Sequence, residues 1–189
     1  MKEIAHFLFE TGMLKRTPRT GLQFLGSGDE SVAEHSFRAV MVAYTLAKLC
    51  AGVNETRILK MMLFHDILES RTGDLNYVNK KYVDVNEEKA AHELADPLPF
   101  GNEVIDLLKE FREKKTQESL IANDADQLEL ILMLKEYGDL GNKYAPDWIS
   151  YALKRLHTAQ AKDLAKSILS TDSAQWWFKE KNDWWIWGE

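Results

Sequence analysis

The chain has 189 residues with 24 basic and 30 acidic side chains, a net charge of −6 and a pI near 5.5. This length is enough for one domain with a substantial core. The acidic balance excludes a surface built to bind nucleic acid, which needs an excess of Lys and Arg. A single cysteine, Cys50, excludes an internal disulfide and favours a reducing compartment. No apolar run approaches a membrane span and the N-terminus lacks a signal-peptide core, so we expect a cytoplasmic protein without a membrane partner.

Apolar residues recur at three- and four-residue spacing over most of the chain, and only 10 glycines and 4 prolines interrupt them. This pattern predicts an all-α protein. In chain order, we expect helices over about 2–14, 31–50, 54–72, 86–95, 100–114, 116–137 and 146–170, with irregular segments over 15–30 and 77–84. Ser31 and Glu34 have the form of a capping box at the start of the second helix. Asn54 is expected to cap the third.

The C-terminal segment is unusually rich in tryptophan. Five of the six tryptophans lie there, at Trp176, Trp177, Trp184, Trp185 and Trp187. An apolar patch of this kind is normally buried against the protein's own domain or against a partner. We therefore expect a single helical domain over 1–170 and a tail over 171–189 that packs back on the domain or lies at a subunit interface, most simply in a homodimer. A lid over a substrate site is a further alternative.

Four polar residues stand on otherwise apolar helical faces: His35, His65, Asp66 and Asp126. Taken singly, each also fits a buried polar residue that is hydrogen-bonded within the core. If all four converge on one point, the simplest explanation is a shared divalent metal ion. Two imidazoles and two carboxylates suit such an ion and leave positions for water and substrate. Asp124 is an alternative to Asp126 as a ligand.

The order of His35, the His65-Asp66 pair and a distant Asp126 resembles the HD-domain superfamily of metal-dependent phosphohydrolases. Within that superfamily, four motifs resemble the 5′-deoxynucleotidase family: LKRTPRTG at 14–21, ESVAEHS at 30–36, HDILESRTGD at 65–74 and DADQL at 124–128. The resemblance covers about residues 1 to 140. It implies that the domain over 1–170 is a single HD-domain helical bundle.

The resemblance also implies roles for individual residues. The four residues on apolar faces would bind one divalent cation, with cobalt, manganese, iron, nickel, zinc and magnesium left open. Glu69 and Asp74 would hold and activate the attacking water. Arg19 would bind the substrate phosphate, which a guanidinium fork suits, and Lys80 falls where the family often has a lysine near the phosphate. A family member has a tryptophan after this arginine, where Thr20 stands here, so the sugar and base contacts stay open.

These roles predict a metal-dependent phosphomonoesterase that hydrolyses (deoxy)ribonucleoside 5′-monophosphates to nucleoside and phosphate. One alternative is an HD-type phosphodiesterase or pyrophosphohydrolase of a signalling nucleotide, although the chain lacks the extra histidine pairs of two-metal enzymes. A di-iron carboxylate oxidoreductase needs two Glu-x-x-His motifs, and only Glu3 with His6 fits. A non-catalytic metal-bound scaffold would not need Glu69, Asp74 and Arg19.

Overall fold

The computed structural model describes residues 1–179 and 182–188, and in this part of the chain it confirms the all-α prediction. Helices α1 to α12 are, in chain order, Lys2–Thr11, Leu22–Leu25, Val32–Leu49, Glu55–Phe64, Glu69–Thr72, Glu87–Ala95, Gly101–Glu113, Gln117–Asp139, Ala145–Leu153, Ala159–Ser170, Gln175–Phe178 and Trp184–Trp187, with 3-10 helices at Gly12–Lys15 and Asn79–Lys81. Strand pairing among these residues is confined to an isolated bridge between Pro18 and Ser31. None of the described helices is long and apolar enough to cross a bilayer.

Helix α8 runs through the middle of the bundle and packs against α3, α4, α7, α9 and α10. Ile121, Ala125, Leu128 and Ile131 on this helix are all fully buried in the main core. The polar side chains of a helix that is buried on most sides have little access to water, so each of them needs a hydrogen-bond partner inside the protein. The acidic residues of α8 are therefore candidates for a functional site.

Helix α4 ends at Phe64, whereas the sequence predicted one helix that continues almost to Gly73. Residues 65–68 form tight turns, in which the amide of Glu69 donates to the carbonyl of Asp66 at 3.0 Å, and α5 then begins at Glu69. Successive side chains on a regular helix point ~100° apart. The break instead brings Nε2 of His65 within 3.3 Å of Oδ2 of Asp66.

The predicted long helix over 146–170 is wrong in its middle, because α9 ends at Leu153 and α10 begins at Ala159. Thr158 caps α10 by accepting from the amide of Ala161 at 3.2 Å. The buried carboxylate of Asp124, on α8, accepts from the amides of His157 at 2.7 Å and Thr158 at 2.8 Å. Bonding these amides to a buried carboxylate stabilises the break.

The tryptophan-rich tail forms its own aromatic group. The ring of Trp177 lies 5.2 Å from Phe178 and 5.7 Å from Trp185, measured between centroids. Each of the five tail tryptophans is at least 42% exposed in the single chain. The start of the tail contacts the end of α8, where the amide of Ser173 donates to the carboxylate of Asp139 at 2.9 Å. That a second subunit buries these rings stays a prediction.

Candidate metal centre

His35 lies in the first turn of α3, directly after a capping box. The side chain of Ser31 accepts from the amide of Glu34 at 3.3 Å, and the carboxylate of Glu34 accepts from the amide of Ser31 at 2.7 Å. This reciprocal pair fixes the start of the helix, as the sequence predicted. It places the imidazole of His35 in the interior, where the residue is fully buried.

The structure brings the four predicted ligand residues together around one point. Nε2 of His35 lies 3.3 Å from Nε2 of His65, 3.4 Å from Oδ2 of Asp66 and 3.2 Å from Oδ1 of Asp126. Ligand atoms that each lie ~2.0–2.2 Å from a shared ion are roughly 3 to 3.5 Å apart. The spacing of these side chains therefore fits a single divalent cation.

Both imidazoles direct the same nitrogen toward that point. Nδ1 of His35 lies 2.5 Å from Oε2 of Glu129, and Nδ1 of His65 lies 2.7 Å from the carbonyl oxygen of Met62. A carboxylate and a carbonyl can only accept, so Nδ1 donates in each ring, and in the neutral imidazole Nε2 carries the lone pair that a metal needs. Two such nitrogens with two carboxylate oxygens form a donor set that divalent transition metals favour.

The electrostatics of the site favour a positive charge at the shared point. Burial lowers the pKa of His35, but hydrogen bonds to Asp126 and Glu129 outweigh it and raise that pKa to about 10. Burial disfavours ionised Asp66, yet His65, His35 and Arg19 hold its pKa below the usual range. The side chains thus stabilise a cation here even though the surroundings are buried.

Asp124 does not take part in this cluster. Its fully buried carboxylate also accepts from the hydroxyl of Thr158, at 2.7 Å, in addition to the two amides at the start of α10. Side chains two positions apart on a helix point ~200° apart. Asp126 consequently faces His35 while Asp124 faces α10.

The cluster opens onto a cavity of about 540 Å³, which is within the size range of small-molecule sites. Glu69 lines the cavity, and its buried Oε2 has no hydrogen-bond partner within the described residues. Burial, with Asp66 and Asp74 nearby, raises the pKa of Glu69 to about 9. An unpartnered buried carboxyl oxygen beside the cluster can hold a water or a proton of the reacting groups.

Arg19 reaches the same cluster from the loop before α2. Its Nη1 lies 3.5 Å from Oδ2 of Asp66. Asp74 holds this loop, because its carboxylate accepts from the amide of Thr20 at 2.8 Å and its carbonyl accepts from the Thr20 hydroxyl at 2.8 Å. The sequence did not indicate this structural contact of Asp74. Lys80 lines the cavity and makes no ion pair with a described residue.

Glu129 and Arg38 were not among the residues predicted from the sequence. Glu129 is fully buried and contacts His35, and its other carboxylate oxygen accepts from Nε of Arg38 at 2.8 Å. A signal was available, since Glu129 is an acidic residue inside an apolar run, three positions after Asp126 and so on the same helix face.

The chain resembles known proteins both in sequence and in the arrangement of its helices. A sequence model of the HD domain family matches residues 11–168, a range that includes every candidate site residue. The 5′-deoxynucleotidase HDDC2 of Danio rerio is 31% identical over 149 residues, which span 76% of this chain and 74% of that protein. A conserved hypothetical protein from Pyrococcus furiosus superposes with a TM-score of 0.76 at 29% identity, covering 87% of this chain and 98% of the other. A predicted metal-dependent phosphohydrolase from Magnetospirillum magnetotacticum MS-1 superposes with a TM-score of 0.72 at 26% identity, covering 89% and 92%.

Proposed function

Because the chain belongs to the HD domain family, we propose that it is a metal-dependent phosphomonoesterase that hydrolyses (deoxy)ribonucleoside 5′-monophosphates to nucleoside and phosphate. The observation that carries this proposal is the approach of two imidazole nitrogens and two carboxylates to within 3.2–3.4 Å at a cavity that also holds Glu69. Relatives named 5′-deoxynucleotidase support the substrate class.

The ligands in this proposal are His35, His65, Asp66 and Asp126, which would hold one divalent cation. When bound, the cation supplies Lewis-acid polarisation of the phosphate and makes a water more acidic. Cobalt, manganese, iron, nickel, zinc and magnesium are all candidates, and the two imidazole nitrogens favour the transition metals among them.

The remaining residues bind and orient the reactants. Arg19 pairs with phosphate oxygens through its guanidinium fork, and Asp74 steadies the loop that carries it. Lys80 adds a further positive charge at the cavity wall. In its ionised form, which a bound cation and the nearby Arg19 would favour, Glu69 would accept a hydrogen bond from the attacking water and take its proton as the new P–O bond forms. The 5′-oxygen leaves with the electrons of the broken P–O bond and takes a proton from solvent to become the nucleoside hydroxyl, while Glu69 releases the proton it received to solvent.

A screen of phosphate release tests the proposal directly. The purified protein, loaded in turn with each candidate metal, is incubated with ribo- and deoxyribonucleoside 5′-monophosphates. We expect hydrolysis that a chelator abolishes and that the added metal restores. Inactivity on every monophosphate, together with hydrolysis of a cyclic or pyrophosphate nucleotide, would instead favour the phosphodiesterase alternative.

Substitution of Arg19 tests how the phosphate is bound. Arg19→Lys keeps the positive charge but loses the bidentate fork, so we expect kcat/KM to fall roughly tenfold or more while the metal stays bound. The exposed Arg16, in the same loop, offers a matched control as Arg16→Lys. Unchanged kcat/KM in Arg19→Lys would remove Arg19 from the phosphate site.

We also propose a preference for one sugar, a homodimeric assembly and a cytoplasmic location for this protein. The name of the relatives supports a preference for 2′-deoxyribose, which comparable kcat/KM for AMP and dAMP would contradict without affecting the phosphatase mechanism. The exposed tail tryptophans support a homodimer. The lone cysteine, which fits a reducing compartment, supports a cytoplasmic location.

A further inference from the structure

Glu129 makes a contact that the reaction itself does not require. Its side chain is 1% exposed, and its Oε2 lies 2.5 Å from Nδ1 of His35, on the far side of the ring from the cavity. We propose that Glu129, held by Arg38, is a positioning residue that sets the orientation and the ligand strength of His35. This inference rests on the proposed metal site.

The two imidazoles of the cluster are supported in different ways. Nδ1 of His65 donates to the neutral carbonyl of Met62, whereas Nδ1 of His35 donates to a carboxylate. A charged acceptor fixes the tautomer and makes the imidazole a stronger electron donor at Nε2. Loss of the Glu129 carboxylate should therefore weaken His35 as a ligand and leave His65 unchanged.

Arg38 keeps the carboxylate available to His35. Its Nε and Nη2 lie 2.8 and 2.7 Å from Oε1 of Glu129, which leaves Oε2 for the imidazole. The outer Nη1 lies 2.8 Å from both carboxylate oxygens of Glu136. A buried carboxylate without a cation is costly, so this arginine stabilises the ionised form of Glu129 and prevents its rotation away from His35.

The spacing of these residues along α3 and α8 brings them onto facing surfaces of the two helices. His35 and Arg38 are three positions apart on α3, and the facing Glu129 lies three positions after Asp126 on α8. Residues three apart share a helix face. The imidazole thus lies between two acidic residues of one helix, with Asp126 at Nε2 and Glu129 at Nδ1.

A simple ion pair joining α3 and α8 is the competing explanation, and the metal affinity separates the two. We expect Glu129→Gln to raise the dissociation constant for Co²⁺, measured by chelator competition, roughly 10- to 100-fold. The visible spectrum of the Co²⁺ protein should also change. At saturating Co²⁺, KM for the nucleotide should stay near the wild-type value, because Glu129 does not line the cavity. A Co²⁺ dissociation constant within twofold of wild type would overturn the inference.

A matched control is available at Glu110, whose carboxylate accepts from Nε of Arg57 at 2.6 Å but contacts no imidazole among the described residues. Glu110→Gln should lower the melting temperature and leave Co²⁺ binding unchanged. Equal weakening of Co²⁺ binding in Glu110→Gln and Glu129→Gln would show a general effect of losing an ion pair, and would also overturn the inference.

If Glu129→Gln does not fold, Arg38→Gln tests the inference, because the side chain of Arg38 is 31% exposed and the variant retains both His35 and Glu129 while losing the cation that holds the Glu129 carboxylate. We expect Co²⁺ binding to weaken at least threefold, and unchanged binding would contradict the inference. A wild-type protein that binds no divalent cation would instead contradict the proposed function, so the two failures are distinguishable.

Discussion

Three acidic residues on α8 show how a single buried side chain acquires its role. Asp124 accepts hydrogen bonds at the start of α10, Asp126 lies 3.2 Å from Nε2 of His35, and Glu129 lies 2.5 Å from Nδ1 of the same ring. The residue type is almost the same in each case. What differs is the neighbour that each carboxylate meets, so their substitutions should have different consequences.

Asp126 and Asp124 form a matched pair for testing the ligand assignment. We expect Asp126→Ala to remove both the bound metal and the activity, because it deletes a ligand oxygen. Asp124→Ala should cost roughly 3 kcal/mol of stability by leaving backbone amides unpaired, while the folded protein keeps most of its metal and activity. Metal content by mass spectrometry and unfolding in urea check both, and the reverse outcome would exchange the two assignments.

Glu69 is the proposed catalytic residue, and it has a buried oxygen that lacks a hydrogen-bond partner in the described part of the chain. Glu69→Ala should retain the metal, because it removes none of the proposed metal ligands. It should lower turnover roughly 100-fold or more, because it removes the group proposed to hold the attacking water. The exposed Glu88 provides a control as Glu88→Ala. Near-normal turnover in metal-loaded Glu69→Ala would make this residue structural.

At the scale of elements, the ends of helices matter as much as the helices. The break after Phe64 brings His65 and Asp66 to one side, and the break after Leu153 presents amides to Asp124. The junction of α6 and α7 is equally constrained. A Cβ added at Gly101 would lie 1.8 Å from the carbonyl oxygen of Ala95, which is backbone and cannot rotate away.

Gly101→Ala should therefore destabilise the protein by ~1–3 kcal/mol, because α7 must shift away from the end of α6. Gly12 is the matched control, since it has φ of −65° and no atom within 4 Å of an added Cβ. Gly12→Ala should be neutral or should stabilise the protein by up to ~1 kcal/mol, because alanine lowers the conformational entropy of the unfolded chain. Urea unfolding of the two variants measures the contrast, and equal stability would show that α7 adjusts freely.

At the scale of the whole molecule, the tail groups several exposed aromatic rings at one end of the described chain. Trp176 is 85% exposed and Trp187 is 74% exposed, far more than a folded monomer normally leaves for several large rings together. Burial of such rings between two subunits would remove a large apolar area from water. The tail is thus the surface on which the proposed homodimer depends.

Truncation after Ser173 tests this view. We expect the shortened protein to sediment as a monomer where the full chain sediments as a dimer, or else to become less soluble, because the interface rings are gone. Analytical ultracentrifugation of both forms at matched concentration makes the comparison. The same sedimentation and solubility in the two forms would show that the tail is dispensable for assembly.

The sequence alone determined the features that depend on local periodicity and local capping. The spacing of apolar residues predicted the all-α class, and the pair of Ser31 and Glu34 predicted the start of α3. His35, His65, Asp66 and Asp126 could be selected because polar side chains on apolar helical faces are unusual and because their order resembles HD-domain proteins. Binding of a metal by these residues stays a prediction.

Only the tertiary structure decided which partner each buried carboxylate has. Asp124 meets the amide of a residue 33 positions away, and Glu129 meets an imidazole 94 positions away. Hydrophobic periodicity carries no information about such distant pairs, because it repeats every few residues. The two helix breaks escaped prediction for the same reason, since apolar spacing continues through both and the interactions that stabilise the second lie on another helix.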